Sequence, residues 1–270
     1  MASAAPEAEV PIPPTICSEE APAVTPLKRK GEAEAGEEPV EAEVAPVSAP
    51  SPLPSPQSPK ELIPGQACRG LTVISVNALP HGVLVVSRGS VVGFRGDAIV
   101  NAANTGCLGG GGVDGAISAA GGDELHEARL ALPVIGKTQK RCETGDAKIT
   151  IGGSLAASFV IHAVGPNYAV MEGTGKSAEE GHELLRSAYA AAMDVARDKG
   201  GIETIAFSLL SSGIFRGQQT LSKVLEVGLK AVAENSYPGL REVHMCGFTT
   251  EEVSTLQHLA PAAAAAAAGN

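Results

Sequence analysis

The sequence predicts an α/β layered sheet, and three observations carry that reading. Short β-branched runs recur from residue 71 onward. Between them lie segments whose apolar residues repeat at helical spacing. The run Ile99–Val100 passes through a glycine-rich loop into an alanine-rich helix start, Gly115 to Ala120. In such sheets ligands sit beyond the carboxyl ends of strands. Two glycine-bearing loops, Asn101–Asp114 and Ser211–Gly217, both follow strands on that side.

The elements follow in order. Leu71–Val76 and Val83–Ser87 read as two strands separated by a turn at Pro80-His81-Gly82. Asp97–Val100 is the strand that feeds the glycine loop. Asp123 to Leu132 reads as a helix cut short by Pro133. Phe159–Ala163 is a buried strand. Ala178 to Lys199 is a long helix with Leu184, Leu185, Ala188, Ala191, Ala192 and Val195 at helical spacing, ended by Gly200-Gly201. Thr204–Leu210 is a strand, Leu221 to Glu234 a helix and Val243–Cys246 the last strand. Thr249 with Glu252 forms a capping box for a final helix to about Leu259. Pro261 and seven alanines follow as a short C-terminal tail, residues 260–270, marginal as a helix unless it packs.

Residues 1–66 read as a disordered tail preceding a domain at 71–259. They hold 14 of the 19 prolines, 11 of the 30 acidic residues and no aromatic residue. Such a segment buries too little apolar surface to offset its ordering entropy. Its basic cluster, Lys28-Arg29-Lys30, is either a nuclear-import signal or a chance cluster. The Ser-Pro steps at 51, 55 and 58 are either kinase sites or parts of a stiff spacer.

The net charge of −10 argues against bulk binding to nucleic acid or an anionic membrane. No apolar run reaches the length of a membrane span, and Glu7 and Glu9 argue against a signal or transit peptide. Five widely spaced cysteines without C-x-x-C fit reduced thiols and no metal framework. An intracellular protein, cytoplasmic or nuclear, is expected, without metal or cofactor.

The stretch Ile99 to Gly122, IVNAANTGCLGGGGVDGAISAAGG, organises the chain. A strand, glycine loop and helix start put free backbone N–H groups around an anion. Glycine is expected there because a side chain blocks close approach and disfavours positive φ. Gly110, Gly112 and Gly115 satisfy G-x-G-x-x-G, a weak match in a chain with 32 glycines. Eight residues separate Val100 from Gly109, and no acid stands near residue 134, so the dinucleotide pattern is incomplete. The Walker pattern fails, because Ala131 and Val170 stand where its first glycine belongs.

Asn101-Ala-Ala-Asn104 followed by Leu108 to Ile117 resembles the first binding loop of macrodomains of the MacroD type. The resemblance continues at Cys142–Thr150, Val160–Tyr168 and Ser211–Phe215, and covers roughly residues 83 to 259. It implies a three-layer α/β/α fold with a mixed central sheet. It also implies binding of ADP-ribose and hydrolysis of ADP-ribosyl esters on acidic side chains of proteins, with O-acetyl-ADP-ribose deacetylation as a sister activity. The implied partner is ADP-ribose or an ADP-ribosylated protein, and a monomer is expected.

By resemblance, Asp114 positions a water beside the distal ribose. Read by itself, it is an acid complementing a helix dipole. Asn104 would hold the ribose hydroxyls, or else support its own loop. Asn101 falls in the binding loop, more as a buttress than as a contact. Gly110, Gly111, Gly112 and Val113 would face one side of the diphosphate, and Ser212, Gly213 and Ile214 the other, through backbone N–H groups. Phe215 would cover the ribose. Phe248 matches an adenine-packing aromatic or belongs to the core. His162, mid-strand, reads as structural.

Three positions depart from the family pattern. Ser90 stands where relatives carry an acid that reads adenine. Ser118 stands where many carry histidine. Arg216 interrupts the second loop, either capping phosphates or pointing to solvent. Two alternatives remain: a reader of ADP-ribose without turnover, and a nucleotide-dependent oxidoreductase resting on the bare glycine match.

Overall fold

The computed structural model describes residues 62–269. The tail features at residues 28–30 and the Ser-Pro steps lie outside the described residues. The strands are β1 (Ala67–Cys68), β2 (Leu71–Ala78), β3 (Val83–Arg88), β4 (Ala98–Ala102), β5 (Ala147–Ile151), β6 (Phe159–Ala163), β7 (Thr204–Phe207) and β8 (Glu242–Gly247). The helices are α1 (Gly112–Leu130), α2 (Tyr168–Gly173), α3 (Ala178–Lys199), α4 (Leu221–Glu234) and α5 (Thr250–Ala268).

One eight-stranded mixed sheet runs β1-β2-β3-β8-β7-β4-β6-β5. Its five central strands, β3, β8, β7, β4 and β6, are mutually parallel. The flanking pairs are antiparallel. Side chains alternate faces along each strand. Val100, Ile161, Phe207 and Met245 pack on the side of α3, α4 and α5, whereas Ile99, Val160 and Ala206 pack with Ile117 and Leu125 of α1. Both faces are covered, which is why the parallel strands read as unbroken apolar runs rather than alternating ones. The result is the three-layer α/β/α arrangement.

Capping fixes the long helices. Ser177 Oγ accepts from Glu180 N, and the Glu180 carboxylate accepts from Ser177 N. Thr249 and Glu252 do the same at α5. β7 leaves the ladder at Phe207, three residues before the expected end. Ser208 Oγ there donates to Val100 O at 2.7 Å and accepts from Ala102 N at 3.0 Å.

The ends of the domain reach further than the sequence predicts. Leu62 packs with Cys68, Val73 and Val85, and Gly65 N donates to Val73 O. At the other end α5 continues through Pro261 to Ala268, because Ala260, Ala263, Ala264 and Ala267 form a buried face on the main core. That spacing is a helical stripe, and Pro261 is exposed, so its ring meets solvent. β1, β5 and α2 are elements that the sequence reading did not assign.

Candidate functional site

The carboxyl ends of the five parallel strands converge on a cleft of about 670 Å³. That is the size of a small-molecule site. β3 delivers Ser90, β4 delivers Asn104, β6 delivers Gly165, β7 delivers Ser208 to Phe215, and β8 delivers Phe248. The glycine loop contributes Gly110 to Asp114. Among the described residues no lysine or arginine lines the cleft, and the acids that do are Asp114 and Glu252.

The glycine loop is shaped at specific positions. Gly109 and Gly112 take φ values of 122° and 60°, which other residues resist. A Cβ at Gly110 would stand 3.3 Å from both Asn104 Nδ2 and Asp114 Oδ2. Gly111 differs from the expectation of positive φ, lying at −89°, and Gly213 in the second loop lies at −92°. A Cβ on either would meet no protein atom within 4 Å, so their Cα atoms border open space. No side chain caps α1 at Gly111, which leaves its first-turn N–H groups for another acceptor.

Under this loop lies a buried polar chain. Asp114 is 3 % exposed, and its Oδ1 accepts from Asn101 Nδ2 at 2.9 Å and pairs with Arg129 Nη1 at 3.0 Å. Oδ2 has no protein partner among the described residues. Asn101 Nδ2 also meets His162 Nδ1 at 3.2 Å, and His162 Nε2 meets Thr150 Oγ1 at 2.9 Å. Thr150 Oγ1 donates to Ile151 O, so it accepts from the Nε2–H of a neutral imidazole, whose Nδ1 then accepts from Asn101. Burial, reinforced by the Arg129 charge, pushes the His162 pKa down to about 3 and keeps it neutral. This is the structural role expected for His162.

Asn101 therefore does not line the cleft. It is buried behind Asp114 and donates to its Oδ1, in a buttressing place rather than at the cleft surface. Asn104 does line it, but its amide also works for the loop: Nδ2 donates to Gly109 O and Oδ1 accepts from Gly106 N. One N–H and one lone pair remain.

The second wall is different. Ser211 Oγ donates to Pro166 O and Ser212 Oγ to Leu209 O, fixing the loop from beneath. Ile214 is 91 % exposed and Phe215 half-buried at the cleft edge. Phe248, at 76 % exposure, belongs to the cleft wall and not the core. Glu252 Oε2 accepts from Phe248 N at 2.9 Å, so the α5 cap also anchors this aromatic. Ser90 lines the cleft and caps the 3-10 turn Val91–Gly93 by accepting from Val92 N. Arg216 stays outside the lining. Ser118 faces a separate hollow of about 400 Å³ together with His126 and Arg129. Among the described residues no group of three His, Cys, Asp or Glu side chains is placed to hold a metal ion, and no helix is long and apolar enough to cross a membrane.

A sheet whose parallel strands end at a glycine-lined cleft, over a buried carboxylate, defines a class: an α/β domain with a small-molecule cleft walled by glycine-rich loops. Comparison makes the class specific. The Macro domain family matches residues 100–224. O-acetyl-ADP-ribose deacetylase 1 of Pantoea vagans is 39 % identical over 171 residues, 62 % of this chain and 92 % of that protein. ADP-ribose glycohydrolase MACROD1 of Mus musculus is 43 % identical over 128 residues, 47 % of this chain and 36 % of that protein. A Trypanosoma brucei macrodomain crystallised with ADP-ribose superposes with a TM-score of 0.53 at 30 % identity, covering 65 % of this chain and 68 % of that one. The chain belongs to the macro domain family.

Proposed function

We propose that this domain binds ADP-ribose and hydrolyses ADP-ribosyl esters, namely those of modified aspartate or glutamate on proteins and O-acetyl-ADP-ribose. The observation that carries the reading is the Asp114 carboxylate at the cleft floor, with Oδ1 held by two donors and Oδ2 unpartnered. A fixed carboxylate whose second oxygen lacks a protein partner can orient a water for attack. The name of the Pantoea vagans relative, a deacetylase of O-acetyl-ADP-ribose, supports ester hydrolysis, and that of the Mus musculus relative, an ADP-ribose glycohydrolase, supports hydrolysis on ADP-ribose more broadly.

In this reading the diphosphate lies between Gly110–Val113 and Ser212–Ile214, held by backbone N–H groups. Phe215 covers the distal ribose, and Asn104 gives its remaining N–H to a ribose hydroxyl. Phe248 stacks on adenine. Ser90 accepts from Val92 N and supplies no charge, so its remaining O–H donor and lone pair are what it offers adenine. The reaction needs no metal in this scheme: Asp114 and a phosphate oxygen place the water.

The reader alternative draws on the two hydrogen bonds that tie the Asn104 amide into its own loop. One paired assay decides: release of ADP-ribose from a glutamate-linked auto-modified protein, beside calorimetry with free ADP-ribose. Release with binding is expected. Binding at micromolar strength without release of any ester would establish a reader.

A further inference from the structure

Asp114 and Arg129 belong to the same helix, fifteen residues apart. On a straight helix that separation is about 22 Å, beyond the reach of an arginine side chain. They nevertheless meet at 3.0 Å. The reason is Gly122, where α1 leaves helical geometry at φ 66° and ψ −161°. Ser154 N donates to Gly121 O at this break. The second half of α1 turns and lays Arg129 against the first turn.

The contact has three properties. It is buried, with Arg129 at 1 % exposure. It uses only Oδ1, the oxygen that Asn101 already engages; a two-pronged pairing would have spent both. It is also costly, since Arg129 Nε and Nη2 have no partner among the described residues. A buried ion pair is a poor stability device compared with apolar packing. Arg129 does not line the cleft and so does not touch a ligand there. Ser118, the family departure, holds it: Ser118 Oγ accepts from Arg129 Nη1 at 2.8 Å and donates to Asp114 O.

We propose that Arg129 is a positioning residue for the hydrolysis, delivered by the Gly122 break and braced by Ser118, that fixes Asp114 through Oδ1 and leaves Oδ2, buried at the cleft floor, without a protein partner. This rests on the hydrolase reading above. Arginine suits the task because its charge is permanent.

The test is steady-state hydrolysis of a glutamate-linked ADP-ribosyl protein by wild type, Arg129→Met, Arg129→Lys and Ser118→Ala, with calorimetric binding of ADP-ribose and melting temperature alongside. For Arg129→Met, kcat is expected to fall about 10- to 100-fold, within the range of a mispositioned acid–base group, with KM and Kd within about threefold. Arg129→Lys should recover at least about threefold over Arg129→Met, and Ser118→Ala should lower kcat several-fold at unchanged KM. A merely structural pair predicts a lower melting temperature with kcat per binding-competent site unchanged, and that result overturns the proposal. Should Arg129→Met not fold, wild-type kcat in Ser118→Ala overturns it equally. No release by wild type would overturn the hydrolase reading and this role together, whereas release by wild type and Arg129→Met alike would overturn the positioning role alone.

Discussion

The two walls of the cleft are built on opposite principles. The wall after β4 rests on a buried chain of polar side chains running Thr150, His162, Asn101, Asp114, Arg129 and Ser118. The wall after β7 contributes no ionised side chain to the lining and is pinned by two serine hydroxyls bonded to carbonyls beneath it. Burying polar groups and charges is expensive and makes geometry unforgiving. Backbone donors on an exposed loop cost little and tolerate adjustment. In the proposed reading both walls offer backbone donors to the diphosphate, and the first wall alone also places a carboxylate.

The largest expected effect breaks the first wall. Asp114→Ala should lower turnover by about 100-fold or more while Kd for ADP-ribose changes far less, because the grip does not depend on it. Parallel, modest losses in both quantities would mean that Asp114 serves the helix dipole only.

Acid should also find the first wall before the second. His162 is held at about 3, well below its value in an unfolded chain, so between those values the unfolded state binds the extra proton. Stability therefore falls as pH drops from about 6.5 toward 3, by about 1.4 kcal/mol per unit at most from this group. His162→Gln should flatten that slope in denaturant titrations at pH 7 and pH 4; an unchanged slope would place the acid sensitivity elsewhere.

Gly111 and Gly213 compare the walls directly. A Cβ on either meets no protein atom within 4 Å, so a valine side chain there projects toward ligand space rather than into the protein. A tenfold or greater loss of ADP-ribose affinity is expected at each, about 1.4 kcal/mol. Unchanged binding in one variant would remove that wall from the diphosphate. Smallest of the substitutions is Phe248→Ala, expected to weaken binding about fivefold, the scale of one exposed aromatic contact.

Much of this was legible in advance. The central strands, α3, α4 and the capping box at Thr249 and Glu252 follow from apolar spacing and from the Thr–x–x–Glu pattern; the second box, at Ser177 and Glu180, was shown by the structure. The glycine loop and Asp114 stand out because glycine and acid at a helix start have few other uses there. β5 was missed because Ala147–Ile151 is a short edge strand whose Lys148 and exposed Ile151 mask the pattern. The end of α5 was missed because Pro261 reads as a stop, while what decides is the alanine face packed on the core. Arg129 was invisible for a deeper reason. Its partner is set by a backbone angle at Gly122, and helical periodicity alone puts the two residues on distant turns.

Among the described residues the cleft lining holds no lysine or arginine, which has a consequence for how fast a ligand arrives. The chain carries a net charge of −10, with 11 of its acids against four basic residues in the first 66 positions. A diphosphate approaching such a body is repelled at long range and rewarded only once it touches backbone donors. Added salt shortens the reach of the repulsion. Stopped-flow association of ADP-ribose should then quicken modestly as ionic strength rises, and removal of residues 1–61 should shrink the effect. A rate that falls with salt would point to a cation outside the lining, Arg216 first, as the guide that brings the ligand in.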